Sequence, residues 1–242
     1  MASPINLLFL HGYTQSGTSF SAKTKAVQKT LQKVLGPATT MHFPTGPVKL
    51  ELADIPGFSG QDSTPAETEN QEAYAWWRRN DATGEYIHLP ETWKYLSDYL
   101  DTHGPFTGVI GFSQGAALAA MLTSILERPN RPETFTTKHP QMKFAVCYSG
   151  FRAPKQYDSW YEPKITTPVL HVIGTLDTVV DEGRSLELVR ACEGGSEKTV
   201  YHPGGHYLPA TKNMVMTLAG FIKQYSQEQK KVEDDDDFSA FL

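Results

Sequence analysis

The chain contains only two cysteines, Cys147 and Cys192, in 242 residues. Two thiols are too few for a disulfide scaffold, and they lack the paired spacing of a metal site. Such sparing use of cysteine fits a cytosolic or nuclear protein. No apolar run approaches the roughly 18 residues that a membrane span requires. The opening stretch, MASPINLLFLHGY, has no basic region ahead of its apolar residues, so it reads as a first strand rather than a signal peptide. There is no excess of positive charge either: 22 Lys and Arg stand against 27 Asp and Glu. Five of those acids form one run, Glu233 to Asp237, and the rest of the chain is balanced. A neutral body argues against nucleic acid or a membrane surface as a partner. The chain has no phosphate-binding P-loop, no G-x-G-x-x-G and no metal-ligand cluster, so no cofactor is expected.

With 39% hydrophobic and 20% charged residues, the chain has enough apolar material for a real core. Short apolar strands alternate with helical stretches. Strands are expected at Ile5 to Leu10, Thr39 to Phe43, Thr107 to Phe112, Phe144 to Tyr148, Val169 to Ile173 and Thr199 to His202. Helices are expected at Ser19 to Leu35, Glu91 to Thr102, Gln114 to Glu127, Glu182 to Cys192 and Asn213 to Tyr225. This alternation predicts an α/β domain over residues 1–226, with a six-stranded, mainly parallel sheet and helices on both faces. Residues 44–88 read as an insertion carrying one short helix around Ala73 to Arg79. Residues 227–242, polar and then acidic, read as a disordered tail.

Gly111-Phe112-Ser113-Gln114-Gly115 is a G-x-S-x-G string. An apolar strand precedes it and an alanine-rich helix follows, the context that a nucleophile elbow requires. A nucleophilic serine needs a base, and the base needs an orienting acid. Asp177 lies just past the strand ending at Ile173, at the sheet edge where open α/β sheets bind ligands. Its rival, Asp181, sits where it would cap the next helix. His206, on the Gly-rich loop after the last strand, can reach the same edge, whereas His202 ends that strand and reads as structural. The oxyanion hole needs two backbone N–H groups. Gln114 is expected to supply one and Tyr13 the other, with Thr14 as the neighbouring alternative. His11 reads as a packing residue beneath the site. The aromatics of the insertion and of the 151–167 loop, with Trp76, Trp77 and Phe151 as the substrate-binding candidates, predict a largely apolar acyl pocket. On a helix, the adjacent Trp76 and Trp77 would point about 100° apart.

Laid end to end, several segments carry a family resemblance. They are Leu8-Phe9-Leu10-His11-Gly12-Tyr13, Gly108-Val109-Ile110-Gly111-Phe112-Ser113-Gln114-Gly115-Ala116-Ala117, Ser149-Gly150-Phe151, Gly174-Thr175-Leu176-Asp177 and His202-Pro203-Gly204-Gly205-His206. Together they resemble the FSH family of serine hydrolases, from about residue 5 to 225. The resemblance implies a compact α/β-hydrolase fold lacking that fold's first two strands, a triad of Ser113, Asp177 and His206, and hydrolysis of carboxylic esters or thioesters. The substrate expected is a small apolar acyl ester or thioester, with a fungal polyketide-type thioester as one form. A serine peptidase or a binding scaffold on the same fold are the alternatives.

Overall fold

The computed structural model describes residues 4–51, 54 and 73–226; the tail and part of the insertion lie outside the described residues. In chain order, β1 (Asn6–Leu10) leads to α1 (Gly17–Lys23), α2 (Lys25–Leu35) and β2 (Thr40–His42). The insertion carries four two-residue strands: β3 (Val48–Lys49), β4 (Tyr74–Ala75), β5 (Arg78–Arg79) and β6 (Tyr86–Ile87). Then come α3 (Leu89–His103), β7 (Gly108–Phe112), α4 (Gln114–Leu126), β8 (Phe144–Tyr148) and β9 (Val169–Gly174). The chain closes with α5 (Glu182–Arg190), β10 (Thr199–His202) and α6 (Lys212–Ser226).

The six longer strands form one sheet in the order β10-β9-β8-β7-β1-β2. Every neighbouring pair in it is parallel, with Leu8 opposite Val109 and Ile110 opposite Val146, for example. All six strands expected from the sequence are present. Strand alternation divides the core into two layers. On one face Leu8, Leu10, Val109, Ala145 and Val169 pack with α3 and α4. On the other Leu7, Phe9, Ile110, Phe144 and Val172 pack with α1, α2 and α6. Cys147 and Cys192 belong to the first layer, both buried and both free thiols.

Two local expectations are corrected. The stretch 19–35 is two helices rather than one. Thr24 (φ −103°, ψ 10°) breaks it, and its hydroxyl donates to the Phe20 carbonyl at 2.8 Å. Such back-bonding competes with the helical ladder. The start of α1 is fixed by a capping box in which Ser16 and Ser19 bond each other's backbone N–H. The second correction concerns residues 73–79, which form no helix. They hold β4 and β5, paired antiparallel with β3 and β6 respectively. Tertiary hydrogen bonds, described below, take the backbone groups that a helix would have used.

Because all strands of the sheet run in parallel, the loops after β1, β7, β9 and β10 emerge at the same edge. Those loops carry His11 to Gln15, Ser113, Thr175 to Asp181 and Pro203 to His206.

Candidate active site

Ser113 sits between β7 and α4 at φ 54°, ψ −117°, a left-handed conformation that is strained for a residue with a side chain. The flanking glycines make the turn possible. A Cβ on Gly111 would lie 2.1 Å from the Gly115 carbonyl oxygen, and one on Gly115 would lie 2.1 Å from that of Leu10. The serine is thereby held at the tip of a sharp strand-to-helix turn, 8% exposed.

His206 brings the other two residues into line. Its Nε2 lies 2.9 Å from Ser113 Oγ and its Nδ1 lies 2.8 Å from Asp177 Oδ2. A carboxylate can only accept, so Nδ1 carries the proton and Nε2 is left to accept from the serine hydroxyl. The other carboxylate oxygen, Asp177 Oδ1, accepts from the Val179 and Val180 amides at 2.9 Å each. Burial on its own would raise this carboxyl's pKa. The hydrogen bonds from His206 and the Val180 amide outweigh it, helped by the facing Ser149 hydroxyl, and the group lies below its usual value. Ser149 is itself buried at φ 48°, its Oγ without any partner of good hydrogen-bond geometry.

The rival residues have structural places. Asp181 caps α5, accepting from the Arg184 amide at 3.2 Å. His202 is buried at the end of β10, and its carbonyl accepts from the Thr175 amide at 3.0 Å. His171, inside β9, is buried as well, its pKa lowered to about 4 by burial and, secondarily, by Lys198.

The loop after β1 packs directly on the elbow: a Cβ on Gly12 would lie 3.4 Å from Ser113 Cβ. Gly12 and Gln15 close a turn at 3.2 Å, with Tyr13 and Thr14 between them and Thr14 at φ 65°. His11, fully buried, braces that turn. Its Nε2 accepts from the Gly46 amide at 2.9 Å, so its Nδ1 must be the protonated nitrogen that donates to the Gly12 carbonyl at 2.8 Å. Burial lowers the His11 pKa to about 4, against a smaller upward effect of the Gly12 hydrogen bond, so the ring is neutral. Both candidate oxyanion donors therefore lie on backbone fixed beside Ser113: Tyr13 within the turn and Gln114 at the first position of α4.

The side chain of Gln114 has a place that residue-by-residue reading of the sequence did not reveal. Its Oε1 accepts from the Trp76 amide at 2.9 Å and its Nε2 donates to the Trp77 carbonyl at 2.8 Å. Trp76 also donates through its indole to the His11 carbonyl at 2.9 Å, and its own carbonyl accepts from the Thr92 hydroxyl. The insertion is in this way fastened to the elbow.

Of the three substrate-binding candidates, Trp77 and Phe151 line the cleft that contains Ser113, a cavity of about 480 Å³. Trp76 does not: it is fully buried, its ring 4.9 Å from that of His11. The expectation of a largely apolar pocket is likewise corrected. The loop aromatics spend their surface on each other, Trp77 stacking on Tyr86 at 4.5 Å, Tyr86 on Tyr157 at 5.0 Å and Tyr157 on Trp160 at 5.0 Å. Polar and charged side chains, among them Arg78, Arg79 and Arg184, take much of the cleft wall. Among the described residues no group of His, Cys, Asp and Glu could hold a metal ion, and no helix is long and apolar enough to cross a membrane.

Comparison with known proteins adds the family. A model of the family described as Serine hydrolase (FSH1) matches residues 1–218. A Schizosaccharomyces pombe protein named dihydrofolate reductase is 39% identical over 213 residues, covering 86% of this chain and 45% of that protein. The chain thus spans less than half the length of that relative. Family of serine hydrolases 2 of Saccharomyces cerevisiae is 34% identical over 90% of this chain and 98% of its own length. Esterase OVCA2 of Danio rerio is 32% identical over 93% of this chain and 99% of its own. Among solved structures, acyl-protein thioesterase 2 of Zea mays superposes with a TM-score of 0.62, covering 94% of this chain and 96% of that one at 18% identity. That likeness is one of fold, and it identifies the sheet and its two helical layers as an α/β-hydrolase fold. The chain belongs to the family described as Serine hydrolase (FSH1).

Proposed function

We propose that the protein hydrolyses carboxylic esters or thioesters through an acyl-enzyme on Ser113. His206 Nε2 takes the hydroxyl proton as Oγ attacks the acyl carbonyl, and Asp177 holds the imidazole in the required tautomer and offsets its positive charge. The backbone N–H groups of Gln114 and Tyr13 receive the oxyanion. His206 then returns the proton to the departing alcohol or thiol. In the second half, water loses a proton to His206 and attacks the acyl-enzyme; the Oγ–acyl bond breaks, His206 returns the proton to Ser113 Oγ, and the acid is released. The observation that carries this reading is the continuous hydrogen-bonded path from Asp177 through His206 to Ser113, with contacts of 2.8 and 2.9 Å. The first turn of α4 supports it too: its bonded amides begin at Ala116, which donates to the Ser113 carbonyl at 2.9 Å, so the Gln114 amide at the helix start has no intrahelical acceptor.

A fluorophosphonate probe tests the nucleophile. The expected outcome is stoichiometric labelling of the wild type at Ser113 and none of Ser113→Ala, whose hydrolysis of p-nitrophenyl esters falls about 10³-fold or more with the fold intact. An unlabelled wild type would identify a scaffold that has kept the fold without its chemistry.

A further inference from the structure

The cleft over Ser113 continues into a second cavity of about 430 Å³, and the two share Arg79, Tyr86, Phe151 and Arg184. The second cavity adds Arg152, Lys155 and Arg190 against Asp158 and Glu187. Two of the cations are already matched: Arg78 pairs with Asp54 at 2.5 Å and Arg152 with Asp158 at 2.8 Å. Among the described residues, no carboxylate lies within ion-pair distance of Arg79 or Arg184. Asp81 also lines the cleft, beyond ion-pair distance of both, so over the two cavities six cations (Arg78, Arg79, Arg152, Lys155, Arg184 and Arg190) stand against four carboxylates (Asp54, Asp81, Asp158 and Glu187).

Arg184 is also held in place. Its guanidinium lies over the Phe151 ring, Cζ 4.7 Å from the centroid, and its Nη1 donates to the Val179 carbonyl at 3.2 Å. Its backbone N–H is the one that Asp181 caps, and the loop just before binds Asp177 through Val179 and Val180. The segment that positions the acid therefore positions the arginine. A guanidinium stacked on an aromatic ring keeps its planar fork of donors available at the edge, and that fork matches a carboxylate or a phosphate. Cations lining a concave wall also concentrate an anion there.

We propose that Arg184, with Arg79, binds an anionic group of the substrate, so that the enzyme selects esters or thioesters carrying a carboxylate or phosphate over their neutral counterparts. This rests on Ser113 being the nucleophile of the cleft.

Two matched pairs of substrates test it and separate the two sources of charge. On the acyl side, the p-nitrophenyl monoester of adipic acid is compared with the same ester whose free carboxylate is capped as a methyl ester. On the leaving-group side, acetyl-coenzyme A is compared with acetyl-N-acetylcysteamine. The expected result is at least a tenfold higher kcat/KM for the charged member of one pair, carried mainly by KM and weakened by 1 M salt. In Arg184→Gln that ratio should fall at least fivefold, and Arg184→Lys should lie between. No preference in either pair, with Ser113 labelled by the fluorophosphonate probe, would overturn the proposal and leave the hydrolase reading standing. A preference that survives in both Arg184→Gln and Arg79→Gln would overturn the assignment to these arginines. Failure of Ser113 to label would bring down the nucleophile and this proposal together.

Discussion

Asp177 and Asp181 are four positions apart and have opposite jobs. Asp177 points its carboxylate at His206 and at two amides, whereas Asp181 holds the first turn of a helix. An asparagine at 177 can offer its NH2 to the imidazole and so favour the wrong tautomer. Asp177→Asn should lower kcat by roughly 10⁴-fold with little change in melting temperature. Asp181→Asn should stay within a few-fold of wild type, since asparagine also caps helices. His206→Gln should stop turnover, and His202→Gln should not. Steady-state kinetics on a single p-nitrophenyl ester orders all four, and a more damaged Asp181 variant would refute the assignment. These residues were legible in the sequence because each follows a strand at the same sheet edge. Arg184 was not. On paper it is one charged residue in an exposed helix, and only the fold sets it over Phe151 beside the serine.

At the scale of elements, the strands of the sheet could be read from composition because buried parallel strands are short, continuous apolar runs. The insertion could not be read that way. Ala73 to Arg79 has a helix-like composition, yet the backbone of Trp76 and Trp77 is bound by Gln114, 38 and 37 positions away in sequence. No local rule signals such a partner. Gln114→Ala keeps the backbone N–H assigned to the oxyanion but orphans a buried amide and a buried carbonyl. The expected cost is about 1–3 kcal/mol of stability, read by urea denaturation. Activity should fall as well, because Trp77 forms part of the cleft wall. A variant as stable as the wild type would mean that the insertion is held without this bridge, by its aromatic stacking and the Trp76 hydrogen bonds to His11 and Thr92.

For the whole molecule, buried neutral histidines set the response to acid. His11 and His171 have folded-state pKa values of about 4, lowered from 6.5 chiefly by burial. His42, His139 and His202 shift in the same direction, also chiefly by burial. A folded value below the unfolded one means that the unfolded chain takes up protons first. Stability is therefore complete above about pH 6.5 and is lost as the pH falls toward 4. For His11 and His171 the loss is about 1.4 kcal/mol per pH unit within that window. Asp177 acts in a lower window: its depressed pKa stabilises the fold above the ordinary carboxyl value, and that contribution disappears only as the pH drops below it. Melting temperature should fall steadily between pH 6.5 and 4.5, and His171→Leu should flatten the slope. His171 is the better choice for that test, because its Nε2 has no hydrogen-bond partner to lose.

The two thiols in the core layer offer a clock for the opening of the fold. Burial pushes the Cys192 pKa up to about 12 and raises that of Cys147 well above its ordinary value, each also raised by a neighbouring ionisable group. Alkylating agents react with thiolate, so at neutral pH a folded molecule is nearly invisible to them. Cys147 stands in the middle of the sheet on β8 and Cys192 just beyond α5, on the segment that follows Arg184. Differential iodoacetamide labelling would report loosening around α5 separately from disruption of the sheet. Faster modification of Cys192 than of Cys147 would show that the helix bearing the arginine detaches while β8, the strand paired with the one that leads to Ser113, is still in place, and equal rates would show that the two open as one unit.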